Sequence, residues 1–198
     1  LRSLSREVTP APFREDLLQR WRPGSARDVS SLELLALFVD DAGVSRAVSS
    51  YLAEHVLAYE ESGISPDLQL EGRLISLIQA SRTLCGEEAL GLLNRAMAAG
   101  ASRSKEVVKA CGAAMETSHP GRLLLAEWME EQTPSRARIE AAILVSELRP
   151  MEATRVLLER YAHCDAPLRM RALRALGRSG SDSAHGFLEG VALGAGLD

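Results

Sequence analysis

Leu168-Arg169-Met170-Arg171-Ala172-Leu173-Arg174-Ala175-Leu176-Gly177-Arg178-Ser179-Gly180 is the stretch that decides the fold. Thirty-one positions earlier, Arg138 stands under Arg169, Ala141 under Ala172 and Leu144 under Ala175. The same step again reaches Val107, Ala110 and Ala113. A recurrence of that length is one helix pair, too small to bury its own apolar face, which must stack on its neighbours. The expected fold is therefore all-α: a right-handed α-solenoid of about four helix pairs behind a helical N-terminal cap. Arrays of this kind mostly bind other molecules along a long preformed surface.

Composition agrees with helices. Aromatic residues make up only 4% of the 198, and Ala and Leu, strong helix formers, dominate the apolar set, whereas strands favour β-branched and aromatic residues. The formal net charge of −4 gives no support to a nucleic-acid role. Residues 1–133 carry 14 basic and 19 acidic side chains, and residues 134–198 carry 9 and 8, so any charged patch is local. Cys85, Cys111 and Cys164 form no CxxC pair, which argues against a disulfide framework or a zinc knuckle and for a reducing compartment. No apolar run approaches the length of a membrane span, and no signal peptide is visible. A cytoplasmic, bacterial protein is expected. The chain opens on Leu1 rather than Met, as a piece of a longer protein would.

Along the chain, residues 1–66 read as an N-terminal arm and helical cap, itself a candidate degenerate repeat, and residues 67–198 as the repeat array continuous with it. Thr9-Pro10-Ala11-Pro12 disfavours helix. Phe13, Leu17, Leu18 and Trp21 fall on one helical face, closed by Pro23-Gly24. A helix over about 32–39 follows, capped by Ser30 or Ser31 and broken by Asp40-Asp41-Ala42-Gly43. Residues 44–61 form a long amphipathic helix. The pairs then run 68–81 with 86–99, 103–116 with 120–131, 135–148 with 151–162, and 167–178 with 181–193. Every break holds Gly or Pro.

The pattern Leu168-Arg169-x-x-Ala172-x-x-Ala175-Leu176-Gly177-Arg178-Ser179-Gly180-x-x-x-Ala184-x-x-Phe187-Leu188 resembles the bacterial type of HEAT repeat. The resemblance covers about residues 68–193 and is closest in the fourth pair. It implies a solenoid whose second helices line the concave face and whose first helices lie on the convex side. It also implies, above all, protein–protein interaction.

Candidate sites follow from that arrangement. The acidic, aromatic segment Glu127-Trp128-Met129-Glu130-Glu131 lies on the second helix of its pair and is the best partner contact, because Trp is enriched at hot spots and Met adapts to varied surfaces. Arg122, Asn94, Arg95, Arg155, Glu159, Arg160, His185 and Glu189 extend the same surface if they point outward. A solvated polar stripe, with Trp128 filling a gap between units, is the competing reading. Arg171, Arg174 and Arg178 share one helical face and could meet phosphates, as in HEAT-like DNA glycosylases; a solvated face on the convex side is favoured over that role. HEAT-type lyases and hydroxylases are a third class. The iron-binding hydroxylases carry His-Glu pairs, which His55, His119, His163 and His185 do not supply, so no metal and no cofactor is expected. Cys111 reads as a small core residue, and no base accompanies any cysteine in sequence, so no catalytic residue is expected. Gly177-Arg178-Ser179-Gly180 reads as a turn between helices rather than a phosphate loop. Leu193-Gly194-Ala195-Gly196-Leu197 caps the end weakly, which leaves room for self-association. The partner is a protein, with no membrane role.

Overall fold

A computed structural model describes residues 11–21, 35, 41–63, 67–130 and 132–193. Among them it holds ten α-helices and two short 3-10 turns, and no strand. The helix expected over about 32–39 lies outside the described residues apart from Leu35, which is buried. Glu131 and Gly194 to Leu197 lie outside them as well.

In chain order the helices are α1 (Ala11–Arg20), α2 (Ala42–Glu61), α3 (Leu68–Leu84), α4 (Leu90–Gly100), α5 (Lys105–Met115), α6 (His119–Glu127), α7 (Ser135–Leu144), α8 (Pro150–Arg160), α9 (Ala166–Ser179) and α10 (Asp182–Ala192). Each of the eight helices that the periodicity predicts from residue 68 onward forms. Two local differences have clear causes. Helix α1 starts two residues before Phe13, because proline needs no amide hydrogen in a first turn and its fixed φ suits the start of a helix. Helix α2 starts at Ala42, where a break was expected. Asp41 is its cap, accepting from the amides of Gly43 and Val44 at 2.8 and 3.0 Å.

The chain forms two compact units that divide between Ala114 and Met115. In the first, α2 packs against both α3 and α4. Its buried face is Val44, Val48, Leu52, Val56 and Tyr59, spaced three or four residues apart as a helix requires. Leu74, Leu77 and Ile78 of α3 and Leu93, Ala96 and Met97 of α4 complete that core. Each fully buried aliphatic side chain contributes about 1.5–3 kcal/mol relative to exposure. Residues 42–61, read as cap, and 68–100, read as array, thus belong to one packed body. Gly100 admits Val107: a Cβ there would sit 2.8 Å from Val107 Cγ1.

In the second unit, α7 packs on α6, α8 and α9, and α10 packs on α9 and α8. Helix α7 is buried on nearly every side, from Ala137 to Ile143. That burial includes two charges, Arg138 at 2% exposure and Glu140 at 4%. Gly121 in the first turn of α6 is held against the end of the preceding helix; a Cβ would lie 2.0 Å from the Met115 carbonyl oxygen, so no other residue fits without backbone movement. Gly180 ends α9 in the left-handed conformation (φ 63°), which glycine adopts without strain.

Candidate functional site

The second unit carries the side chains expected to meet a partner except Asn94 and Arg95, which lie on α4 in the first unit, where Arg95 pairs with Glu60. Helix α6 ends one turn earlier than expected, at Glu127. Trp128, Met129 and Glu130 continue as tight turns, donating to the carbonyls of Leu125, Ala126 and Glu127 at 3.1, 3.2 and 3.3 Å. Such three-residue closures satisfy carbonyls that an ending helix leaves open. Met129 is buried, Trp128 half-buried, and Glu127 and Glu130 exposed. The buried Arg138 holds this turn in place, donating from Nε to the Met129 carbonyl at 2.9 Å and from a terminal nitrogen to Glu159 at 3.3 Å. One arginine therefore ties the Trp128 turn to α7 and α8.

The rest of the surface is laced with short-range pairs. Arg155 reaches Glu159 at 3.4 Å across one helical turn, so Glu159 is shared between Arg155 and Arg138. His185 and Glu189 are 3.1 Å apart on α10. Arg122 is exposed, and Arg160 is half-buried with its Nε enclosed and without a hydrogen-bond partner among the described residues. Exposed pairs of this kind contribute little to stability, about 0–1 kcal/mol each. Leu123 on α6, next in sequence to Arg122, and Met151 at the start of α8, next to Glu152, are exposed apolar side chains.

The arginine row on α9 meets carboxylates within the unit. Arg171 grips the buried Glu140 with both terminal nitrogens, at 2.8 and 2.6 Å. Arg178 lies 3.7 Å from Glu147. Each arginine stands 31 positions after its acid, so the rungs follow the period of the sequence. Arg174 is exposed. A row already neutralised at two of its three positions has little left to offer a phosphate backbone.

All three cysteines are buried and reduced. Burial pushes every thiol above its ordinary range: most strongly Cys111, enclosed in α5, then Cys85 and Cys164, the last partly offset by Arg169. A thiol held protonated is a poor nucleophile. The Gly177-Arg178-Ser179-Gly180 turn is likewise occupied by structure. Thr154 Oγ1 lies 3.1 Å from Ser179 Oγ and 2.9 Å from Ser181 Oγ, and Ser181 caps α10 through the Ala184 amide. Among the described residues no three His, Cys, Asp or Glu side chains stand close enough to hold a metal ion, and no helix is long and apolar enough to cross a membrane.

Sequence reading missed two clefts in the first unit. One, of about 490 Å³, lies between the start of α2 and the end of α3, lined by Asp41, Ser45, Arg46, Cys85 and Glu88 among others. Ser45 donates to Glu88 at 3.3 Å, and the Cys85 thiol points at the Ser45 carbonyl at 3.4 Å. The other, of about 360 Å³, lies between α3 and α5. The second had a visible signal, the small-residue face Ala110, Ala113 and Ala114; the first had none. The unit also buries Tyr59 under Arg103, whose guanidinium sits 4.3 Å over the ring and donates to the Tyr59 carbonyl at 2.8 Å. Burial raises the Tyr59 hydroxyl pKa, against the opposing pull of Arg103.

No protein-family model matches the chain, no curated protein matches it, and no solved structure matches it.

Proposed function

We propose that this chain is a non-catalytic interaction module: a right-handed solenoid of about four HEAT-like helix pairs that holds a protein partner along its second helices. The observation that carries the reading is the make-up of the side chains of α6, the turn that follows it, and α8. These segments carry a half-buried Trp128 and the exposed Leu123 and Met151 together with the exposed charges Arg122, Glu127, Glu130, Arg155 and Glu159. Apolar anchors within a charged rim are the composition of a protein-binding patch, where a few aromatic and aliphatic groups supply affinity and charges set orientation. The hydrogen bonds from Arg138 to Met129 and Glu159 supply the rigidity such a patch needs, since ordering it on binding would cost affinity. Glu189 on α10 extends the same chemistry.

The test is affinity capture from the source lysate with the wild type beside Arg122→Glu/Glu127→Arg, which changes exposed side chains only, and beside Trp128→Ala. Circular dichroism checks the fold of each. The expected result is one protein whose recovery falls about tenfold or more with either variant. Equal recovery by all three moves the site off this surface. Recovery of nucleic acid, or of nothing, overturns the proposal.

A further inference from the structure

The cleft between α3 and α5 pairs an apolar floor with two cations that make no ion pair among the described residues. Ile75 on α3 and Ala110, Ala113 and Ala114 on α5 form the floor. The methyl side chains of α5 leave the cleft open where larger residues would fill it. Arg82, in the last turn of α3, and Lys109, midway along α5, stand on the rim with Gln79 and Glu106. Both cations are exposed, and neither makes an ion pair among the described residues. They are conspicuous in a chain with formal net charge −4. Lys109 is also one of only two lysines in the sequence.

The geometry points to this cleft as the docking groove for an acidic peptide segment of a partner protein, one carrying an apolar anchor beside its carboxylates. The anchor would seat on Ile75 and the alanine floor. A neighbouring Asp or Glu would meet the Arg82 guanidinium, whose planar fork takes a carboxylate through two parallel hydrogen bonds, with Lys109 as a second point charge. A volume of about 360 Å³ suits a few apolar side chains rather than a whole helix. The cleft is open to solvent, whereas sites for free small molecules enclose most of the ligand surface, so a segment borne on a larger body fits better. Two cations are too few for a nucleic-acid backbone, whose binding draws on the release of many counter-ions. The groove's residues lie on α3 and α5 and share none with the surface of α6 and α8, so its failure leaves the preceding proposal standing and the converse also holds.

The experiment is selection of a random-peptide display library on the full chain, run in parallel on wild type and on Arg82→Glu/Lys109→Glu. The best-enriched peptide is then labelled and titrated by fluorescence polarisation. Both substituted residues are exposed, and circular dichroism confirms that the variant is folded. The expected outcome is a wild-type pool rich in Asp and Glu beside Leu, Phe or Trp. Its best peptide should bind the double variant about tenfold or more weakly, with binding regained when its acids are changed to Lys. Ala113→Leu, which fills the floor and leaves the cations in place, should weaken the same peptide. A pool of basic or neutral peptides, an identical pool from both proteins, or no enrichment overturns the inference. So does a concentration-dependent dimer abolished by Arg82→Glu/Lys109→Glu, which would show that a second copy of the chain fills the groove.

Discussion

Cys111 shows how much a single buried group can shift the pH response of the whole chain. Its thiol is fully enclosed, and burial holds it protonated well above the ordinary thiol value of 9.0. The unfolded chain ionises near that value and the folded chain does not, so the folded state holds a proton that the unfolded state releases. Stability is therefore complete below about pH 9 and falls as pH rises, by about 1.4 kcal/mol per pH unit for this one group. Cys85 and Cys164 act in the same direction. Urea unfolding between pH 8 and pH 11 should show this decline, and Cys111→Ala should flatten it by about one proton; an unchanged slope would place the alkaline loss elsewhere. The burial of Cys111 was legible from the apolar company it keeps in sequence. The burial of Arg138 and Glu140 was not, because a charged residue reads as surface until its partner is known, and both partners lie in other helices.

At the scale of the helix, the same distinction separates the two rungs that join α9 to α7 and to the turn after it. Glu140 is buried and gripped by two nitrogens of Arg171, while Glu147 and Arg178 are both more than half exposed. Removing Arg171 strands a buried carboxylate, whereas removing Arg178 only returns Glu147 to water. Arg171→Ala should cost about 2–3 kcal/mol, and Arg178→Ala less than about 1 kcal/mol. Thermal melts of the two variants side by side check this, and equal losses would show that burial does not set the strength of these rungs. Helix existence was readable from residue 68 onward because amphipathic spacing and Gly or Pro breaks agree. Helix ends were not: α6 stops at Glu127 because the Trp128 turn is tied down by Arg138, a contact with no trace in the local sequence. That early stop places Trp128 in a turn rather than on the helix face where periodicity put it.

For the whole molecule, the division between Ala114 and Met115 falls inside what the repeat pattern reads as its second helix pair. Period alone could not show this, because a period reports similarity between segments and says nothing of how tightly each packs on the next. Residues 115–198 contain α6 to α10 and a core of their own that includes Leu125, Ile139, Val156, Leu157, Leu168 and Leu176. Expressed alone, this segment should give a helical spectrum and a cooperative thermal transition; a featureless melt would show that it depends on the preceding residues. The rungs of the second unit also distinguish its helix pairs from one another. Where α7 and the turn after it carry Glu140 and Glu147, the positions 31 residues later on α9 carry Arg171 and Arg178. A tandem copy of either helix pair, stacked in the same register, would set acid against acid or base against base at both places. The two pairs are therefore not interchangeable, however alike their spacing. Charge gives each an address, and the order in which they assemble is written into the side chains that join them.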